Sequence, residues 1–218
     1  MQIMTNKFLR NIKYNFSTQL IIVIIISLLI GITSTKNHSL VYLLSSPNTS
    51  EISISIPYKR SEYGYGSDID QDGQNTRAEK LQLASLVPVE FRTLKKKHVK
   101  SGKWFDPYTG LTFRDANDVD IDHLVPLYEV HISGGAYWPK EKKRAFANDL
   151  SKNGPLRVVH RWTNRIPKNA DDPSEYLPSW VPGRCQYLKD WISIKQKWDL
   201  FMDKAEARSI EKQLMACD

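Results

Sequence analysis

The sequence contains very little cysteine. Its 218 residues include only Cys185 and Cys217. No Cys-x-x-Cys pair occurs, so a structural zinc site with thiolate ligands is not expected. Two cysteines in an oxidising compartment form one disulfide by default. We therefore expect a bond between Cys185 and Cys217, which would tie the start of the last helical region to the C-terminus.

The sequence also lacks an apolar run that would comfortably span a bilayer. An uncharged run extends over Leu20–Ile32 and has 13 residues, whereas a spanning helix needs about 20. Basic residues precede this run and small residues follow it, which are the proportions of a secretory signal peptide. We predict that residues 1–36 are a signal peptide and that the protein is exported, either secreted or periplasmic. An uncleaved N-terminal membrane anchor is the alternative.

A large excess of one charge is missing from the body of the chain. The whole sequence has 31 basic and 24 acidic residues and a formal net charge of +7. Four basic residues and no acidic one lie in residues 1–36, so the rest carries 27 basic residues against 24 acidic ones, or +3. The distribution of charge, and not its total, must therefore indicate any nucleic-acid partner.

The remaining chain is predicted to hold a linker and one domain. Residues 37–57 are Ser-rich and weakly apolar, which is typical of a linker. Residues 58–218 are predicted to form a folded domain. Its predicted elements include a turn at Asp106–Gly110 with a strand on either side, and a strand at Leu156–His160. Helices are predicted at Arg77–Ala84, at Pro139–Leu150 with the proline at the first position, and at Gln186–Leu200.

The stretch from Asp118 to Leu127 has the most unusual composition. Val119 and Ile121 alternate with acidic residues, which predicts a short, half-buried strand that ends at Pro126. Three carboxylates and an imidazole within six residues are costly to crowd together unless a cation or a polar substrate balances them. An acidic strand edge with one solvated histidine is the alternative. Neighbouring side chains on a strand point to opposite faces, so both members of the Asp-His pair reach one site only where the strand ends or twists.

A second acidic segment resembles the start of a calcium loop. Asp68, Asp70, Asp72 and Gly73 have the spacing Asp-x-Asp-x-Asp-Gly, and Glu79 stands six residues after the glycine. Ca²⁺ binding at Asp68, Asp70 and Asp72 is one interpretation. A polar turn before a helix is the other, because no helix is predicted ahead of the loop.

Two basic segments flank the Asp-His strand. One contains Lys95, Lys96 and Lys97, and the other is the predicted helix with Arg144. Such runs are solvated faces in most proteins, but beside a catalytic strand they could form a rim that contacts phosphates.

In order, the chain offers a strand with an Asp-His pair, a second strand and a polar segment opened by Asn164. This arrangement resembles the HNH (ββα-metal) endonucleases. Asp120–Pro126 is similar to the strand of the HNH domain in CRISPR effector nucleases. The chain is more closely similar to small exported bacterial HNH nucleases related to the C-terminal domain of modification-dependent restriction enzymes. The similarity covers about residues 58–218 and rests on Asp70–Arg77, Ser101–Gly110, Asp120–Leu127, Ser133–Ala136, Phe146–Asp149, Asn164–Arg165, Glu175–Pro178 and the cysteine pair.

The resemblance implies an α+β fold with a ββα-metal core, a short antiparallel hairpin plus a helix, embedded in extra helices within a single domain. It implies that His123 is the general base that deprotonates the attacking water. Asp122 and Asn164 would hold one divalent cation, Mg²⁺ or Mn²⁺, through hard oxygen atoms. Asn148 or Asn153 would be the middle asparagine that orients the loop carrying the histidine, and we favour Asn148. We expect His123 to be exposed, so that its loss leaves folding intact.

The resemblance also suggests residues that contact substrate. Arg165 or Lys168 could clamp a phosphate, and Lys95, Lys96, Lys97 and Arg144 could form the rim. One departure concerns the family's usual Asn-Arg-Ser-Lys-Gly, which here is Asn164-Arg-Ile-Pro-Lys168. Pro167 adds a residue and does not fit comfortably inside the helix that should carry Asn164.

These observations predict a monomeric, metal-dependent and largely sequence-nonspecific endonuclease that hydrolyses phosphodiester bonds, with DNA favoured over RNA. One alternative is a module that binds nucleic acid without catalysis, because the Asn164–Lys168 segment is altered. Another is a membrane-tethered calcium-binding protein whose site is the acidic loop. Membrane contact is expected only if the N-terminal segment is uncleaved.

Overall fold

The computed structural model describes residues 54–168 and 171–217. The predicted signal segment, residues 1–36, and most of the predicted linker, residues 37–57, lie outside the described residues. The chain divides between Leu44 and Ser45, and all described residues belong to the second part. Within the described ranges, no helix combines the length and the apolar character needed to cross a membrane.

The described chain is a mixture of α-helices and short antiparallel strands, which confirms the predicted α+β class. The strands are β1 (Glu90–Phe91), β2 (Val99–Phe105), β3 (Thr112–Asp115), β4 (Val119–His123) and β5 (Leu156–His160). The α-helices are α1 (Thr76–Ala84), α2 (Leu127–Ile132), α3 (Lys140–Ala147), α4 (Arg161–Thr163), α5 (Arg184–Lys197) and α6 (Lys204–Leu214). A π-helical turn, Asn164–Lys168, continues α4. Short 3₁₀ helices cover Arg60–Tyr63, Gly135–Tyr137 and Val181–Gly183.

The strands form two separate antiparallel sheets. One has the order β1-β2-β3 and the other pairs β4 with β5. The predicted turn at Asp106–Gly110 connects β2 to β3. Its last residue, Gly110, has a φ of +72°, and a Cβ there would lie 2.6 Å from the ring of Trp180. Glycine meets both demands because it has no side chain and tolerates a left-handed conformation.

A smaller apolar core lies between α1 and the strands. It contains Leu81 of α1, Trp104 of β2 and Val119 of β4, each at most 2% exposed. Trp104 donates its indole N–H to the carbonyl of Leu81 at 2.8 Å, so its polar atom is satisfied inside the core. The apolar half of the alternation in β4 therefore faces this core, as predicted.

A larger core joins the helices. Helix α5 contributes Tyr187 and Trp191, which are 3% and 0% exposed. Phe146 of α3 and Leu127 of α2 pack in the same cluster. Helix α5 begins at Arg184 and ends at Lys197, not at the predicted Gln186 and Leu200.

Helix α3 is shorter than predicted. Pro139 occupies the N-cap position, not the first helical position, and the helix ends at Ala147, not at Leu150. The side chain of Asn148 donates to the carbonyl of Arg144 at 2.9 Å and to the carbonyl of Gly64 at 3.1 Å. An asparagine that binds a helix carbonyl in this way competes with the continuing backbone ladder, which explains the early end.

The predicted disulfide is present. Cys185, at the start of α5, is bonded to Cys217, after the end of α6, and the two Cα atoms are 5.6 Å apart. The bond joins positions 32 residues apart and so closes a loop that contains nearly all of both helices.

Removing this bond is expected to lower the free energy of unfolding by about 2–4 kcal/mol, because the cross-link restricts the unfolded chain. Urea unfolding of the Cys185→Ser/Cys217→Ser protein beside the oxidised wild type measures the loss. Reduced wild-type protein should unfold at nearly the same urea concentration as the double variant. Equal midpoints for oxidised and reduced wild type would contradict the expectation.

Candidate functional site

The β4–β5 hairpin and the helical segment after it build the candidate site. Every residue of β4 pairs with one of β5, from Val119 opposite His160 to His123 opposite Leu156. Strand β5 leads directly into α4, and the backbone N–H of Arg161 binds the carbonyl of Asp118 at 2.8 Å. This contact folds the Asn164–Lys168 turn back against β4. As a result, Asp122, His123 and Asn164 line one cleft, here called the His123 cleft, whose other lining residues are Tyr58, Arg60, Ile121, Pro126, Leu127 and Tyr128.

His123 is held in one orientation. Its Nε2 lies 3.0 Å from the carbonyl oxygen of Ala147, and Tyr65 and Phe146 pack against its ring. A carbonyl oxygen only accepts, so Nε2 carries the proton and donates, and the neutral ring keeps a lone pair on Nδ1. Burial lowers the pKa of His123 to about 3, and the positive charges of Arg60 and Lys168 add to the lowering. The expectation of an exposed histidine is wrong, because the residue is only 5% exposed.

Asp122 is buried with one oxygen engaged. Its Oδ2 accepts from the hydroxyl of Tyr108 at 2.6 Å and lies 3.3 Å from Nζ of Lys168. Burial raises the pKa of Asp122, against the lowering by the charge of Lys168 and the Tyr108 hydrogen bond. No hydrogen bond from a described residue reaches Oδ1. One carboxylate oxygen is therefore fixed by the protein while the other remains available to a ligand.

The two members of the Asp-His pair have partners on different sides of β4. Asp122 contacts Tyr108 and Lys168, whereas His123 contacts Tyr65 and Phe146, as the alternation of a strand requires. Both still line the His123 cleft. Strand β4 ends at His123. Two neighbouring side chains can reach one site only where a strand ends or twists, so this strand end allows Asp122 and His123 to share the cleft.

Asn164 lies at the start of the π-helical turn. Its Nδ2 is 3.4 Å from Oδ2 of Asp120, and no described residue donates to its Oδ1. Pro167 is accommodated inside the same turn. Proline lacks an N–H and an inserted residue widens a helix turn, so a π-type turn is the geometry that tolerates both. The insertion therefore does not remove Asn164 from the cleft.

The side-chain amide of Asn148 makes hydrogen bonds through both its oxygen and its nitrogen. Its Oδ1 accepts from the backbone N–H of Gly66 at 3.0 Å and from the hydroxyl of Thr76 at 2.6 Å. Its Nδ2 binds the carbonyls of Gly64 and Arg144. Asn148 directly follows Ala147, whose carbonyl binds His123, so this buried amide fixes the acceptor that orients the imidazole. The other candidate, Asn153, is exposed.

The two expected phosphate clamps are both engaged with carboxylates. Lys168 is 0% exposed, and its Nζ donates to the carbonyl of His123 at 3.2 Å as well as pairing with Asp122. A phosphate clamp must reach the surface, and Lys168 does not. Arg165 is exposed, but it donates to both oxygens of Asp120 at 2.8 and 3.2 Å.

The expected basic rim is dispersed. Lys95, Lys96 and Lys97 are exposed in the connection between β1 and β2, and none of them lines the His123 cleft. Lys97 lines a separate cleft together with Arg77. Arg144 is exposed on α3 and lies beside Gly64, also outside the His123 cleft.

The acidic loop brings its three aspartates together. Single oxygens of Asp68, Asp70 and Asp72 lie within 4.8 Å of one another. Local backbone N–H groups already bind these carboxylates, with Gly73 at 3.0 Å from Asp68 and Gln74 at 2.7 Å from Asp72. These contacts are typical of a polar turn that leads into α1. They leave the expectation of Ca²⁺ binding a prediction.

Sequence reasoning missed Tyr108 and Arg60. Tyr108 is 1% exposed and donates its hydroxyl to Asp122 at 2.6 Å. Tyr108 lies in the Asp-Pro-Tyr-Thr-Gly turn, and neither the turn pattern nor the resemblance assigns its side chain a role. Arg60 lines the His123 cleft from the 3₁₀ helix Arg60–Tyr63, and no local pattern distinguished it from other surface arginines.

Comparison with known proteins identifies one secreted relative and no family. No family model and no solved structure matches this chain. A protein of Arthroderma benhamiae described as an uncharacterized secreted protein is 39% identical over 117 residues. The match covers 54% of this chain and 56% of the relative, so the chain spans about half the length of the curated relative that it resembles.

Proposed function

We propose that this protein is an exported, metal-dependent endonuclease of the HNH (ββα-metal) type that acts on nucleic acid, with DNA favoured. One observation carries the proposal. An antiparallel hairpin followed directly by a helical turn brings a carboxylate (Asp122), an oriented imidazole (His123) and an amide (Asn164) into a single cleft.

The donor set fits a single hard divalent cation. Asp122 offers a carboxylate oxygen and Asn164 an amide oxygen, and neither atom accepts a hydrogen bond from a described residue. Mg²⁺ is commonly held by one or two protein oxygens and completes its shell with water and phosphate oxygens. Lys168 already neutralises Asp122, so the anionic substrate itself would contribute to holding the ion. A bound ion would supply charge stabilisation for the phosphorus centre and the leaving oxygen.

The residues of the chain account for the proton transfer. Nε2 of His123 donates to Ala147, so Nδ1 is the ring atom that can take a proton from water. Asn148 and Tyr108 are positioning residues, since the first fixes the loop around Ala147 and the second holds Asp122. An anionic phosphate in the cleft would raise the pKa of His123, because a nearby negative charge favours the imidazolium.

Two further facts support export. The relative from Arthroderma benhamiae is described as secreted. The Cys185–Cys217 bond is of a kind that forms and persists in oxidising compartments.

The test is plasmid nicking by the purified protein. Supercoiled DNA should convert to nicked and linear forms with Mg²⁺ or Mn²⁺, and excess EDTA should stop the conversion because it removes the ion. Parallel reactions on single-stranded DNA and on RNA establish substrate preference. Binding without cleavage in either metal would favour a catalytically inactive module. A calcium-dependent rise in melting temperature without binding or cleavage would favour the acidic loop as the functional site.

A further inference from the structure

Two clefts meet at Arg60. The His123 cleft contains the proposed catalytic residues. A second cleft, which Arg60 also lines, runs beside Val119, Asp120 and Ile121 of β4. We call the second the arginine cleft, because its lining includes Arg60, Arg77, Arg161 and Arg165, together with Asn117 and Asn164. The two clefts share Arg60, Ile121 and Asn164. A chain of phosphates that entered along the arginine cleft would therefore pass Arg60 to reach His123.

The four arginines differ in whether their guanidinium groups already make hydrogen bonds or ion pairs within the protein. Arg77 donates to the carbonyls of Ala116 and Val119 at 2.7 and 2.8 Å, and Arg165 is paired with Asp120. In the part of the chain that the structure describes, the side chains of Arg60 and Arg161 make no hydrogen bond and no ion pair. Arg161 lines only the arginine cleft, whereas Arg60 lines both.

The backbone that carries Arg60 is firmly anchored. Two residues before it, Tyr58 packs edge-on against Tyr128 with ring centres 5.4 Å apart. After it, Glu62 forms an ion pair with the buried Lys143 at 2.7 Å, and Tyr63 is 0% exposed in the larger core. A fixed backbone with a free guanidinium is a suitable arrangement for binding an anion, because little backbone order remains to be lost.

The charge balance of the clefts favours an anion at Arg60. Asp120 is neutralised by Arg165 and Asp122 by Lys168, so both carboxylates of β4 that face these clefts are already compensated. Arg60 and His123 line the same cleft. Arg60 thus supplies uncompensated positive charge next to His123.

We propose that Arg60 binds a phosphate of the nucleic-acid strand at the junction of the two clefts and so directs the neighbouring phosphodiester towards His123. This inference rests on the proposed function. A guanidinium can bind two phosphate oxygens at once, which fixes both the position and the orientation of the strand. Arg60 would bind the backbone and not the bases, so it would contribute affinity without sequence preference.

The experiment compares Arg60→Ala with Lys59→Ala. Lys59 is the neighbouring exposed cation and lines neither cleft, so its variant loses the same charge at a different place. Binding of a short fluorescein-labelled DNA duplex is measured by anisotropy in EDTA, at several salt concentrations. Arg60→Ala should bind about 10-fold more weakly, as expected for a lost charge-assisted hydrogen bond. Its plot of log K against log salt should flatten by about 0.9 unit, the share of one phosphate contact.

Two further measurements separate a binding role from a structural one. Arg60→Lys keeps a cation and should recover most of the salt slope, but its nicking rate should stay below that of the wild type because a lysine cannot bind two oxygens in a fork. All variants should melt at the wild-type temperature, since Arg60 and Lys59 are exposed.

The outcomes also separate this inference from the proposed function. If the wild type binds and nicks the duplex while Arg60→Ala behaves as Lys59→Ala does, the role of Arg60 is wrong and the nuclease proposal stands. A wild type that neither binds nor nicks DNA or RNA in Mg²⁺ or Mn²⁺ would overturn both.

Discussion

Replacing His123 by glutamine is expected to slow plasmid nicking by about 10²–10⁴-fold, the usual contribution of a general base. The amide N–H of glutamine can still donate to the carbonyl of Ala147, but an amide has no basic nitrogen to replace Nδ1. The measurement is the initial rate of nicking at saturating plasmid with Mg²⁺ or Mn²⁺. Affinity for the duplex in EDTA should change little, because the loss concerns proton transfer.

Glutamine is preferred to alanine because His123 is buried. Alanine would leave the carbonyl of Ala147 unpaired, at a cost of about 1–3 kcal/mol, and would open a space beside Tyr65 and Phe146. The control is His160→Gln. That histidine lies on β5, stacks on Phe113 with ring centres 4.7 Å apart and lines neither cleft, so nicking should be nearly unchanged. A well-folded His123→Gln protein with wild-type nicking would exclude His123 as the base.

The hairpin could be predicted from sequence because its signals are local. The alternation around Val119 and Ile121 and the run Leu156–His160 each specify a strand without reference to the rest of the chain. The end of each strand was less exactly predictable, since β4 ends at His123, three residues before Pro126, and β5 ends at His160, before the polar segment at Asn164. The adjacency of Asp122 and His123 also follows from sequence, since neighbours at the end of a strand stay close whatever else packs nearby.

The surroundings of the pair could not be predicted, because they come from distant parts of the chain. Tyr108 reaches Asp122 across 14 positions and Lys168 reaches the carbonyl of His123 across 45. A lysine in a polar segment is exposed in most proteins, and only tertiary contacts show that Lys168 is buried beside a carboxylate. The resemblance suggests a phosphate clamp at this position, but a resemblance in residue type does not determine burial.

A buried charge cluster between α2, α5 and α6 could not be predicted for the same reason, because its members are distant in sequence. Lys195 of α5 is 0% exposed, and its Nζ lies 2.6 Å from Glu129 of α2 and 2.7 Å from Glu206 of α6. It also donates to the hydroxyl of Ser133 and to the carbonyl of Phe201, each at 2.9 Å. The sequence shows only a lysine within an aromatic helix. The structure shows a contact that joins three helices of the larger core.

Replacing Lys195 by methionine is expected to lower the free energy of unfolding by about 3–5 kcal/mol at neutral pH. Methionine fills a similar space, so the loss arises from two buried carboxylates that keep no cation. The control is Lys197→Met, two residues along the same helix. Lys197 is also paired with a carboxylate, Asp149 at 2.7 Å, but its side chain is 44% exposed. An exposed pair contributes at most about 1 kcal/mol, and urea unfolding of both variants measures the difference.

The pH dependence of this loss identifies its cause. Burial raises the pKa of Glu206 above its ordinary value of 4.5, while the charge of Lys195 opposes the rise. A carboxyl group with a raised folded-state pKa contributes stability below that ordinary value and loses the contribution as the pH rises through the folded pKa. Without Lys195 the pKa of Glu206 rises further, so the protein can avoid the buried charge in acid by keeping the proton. Because the pKa of Glu206 is already raised to about 7 in the wild type, the difference in unfolding free energy between Lys195→Met and wild type should shrink as the pH falls from about 9 towards about 6. A difference that stays constant over this range would show that Lys195 acts through packing and not through charge.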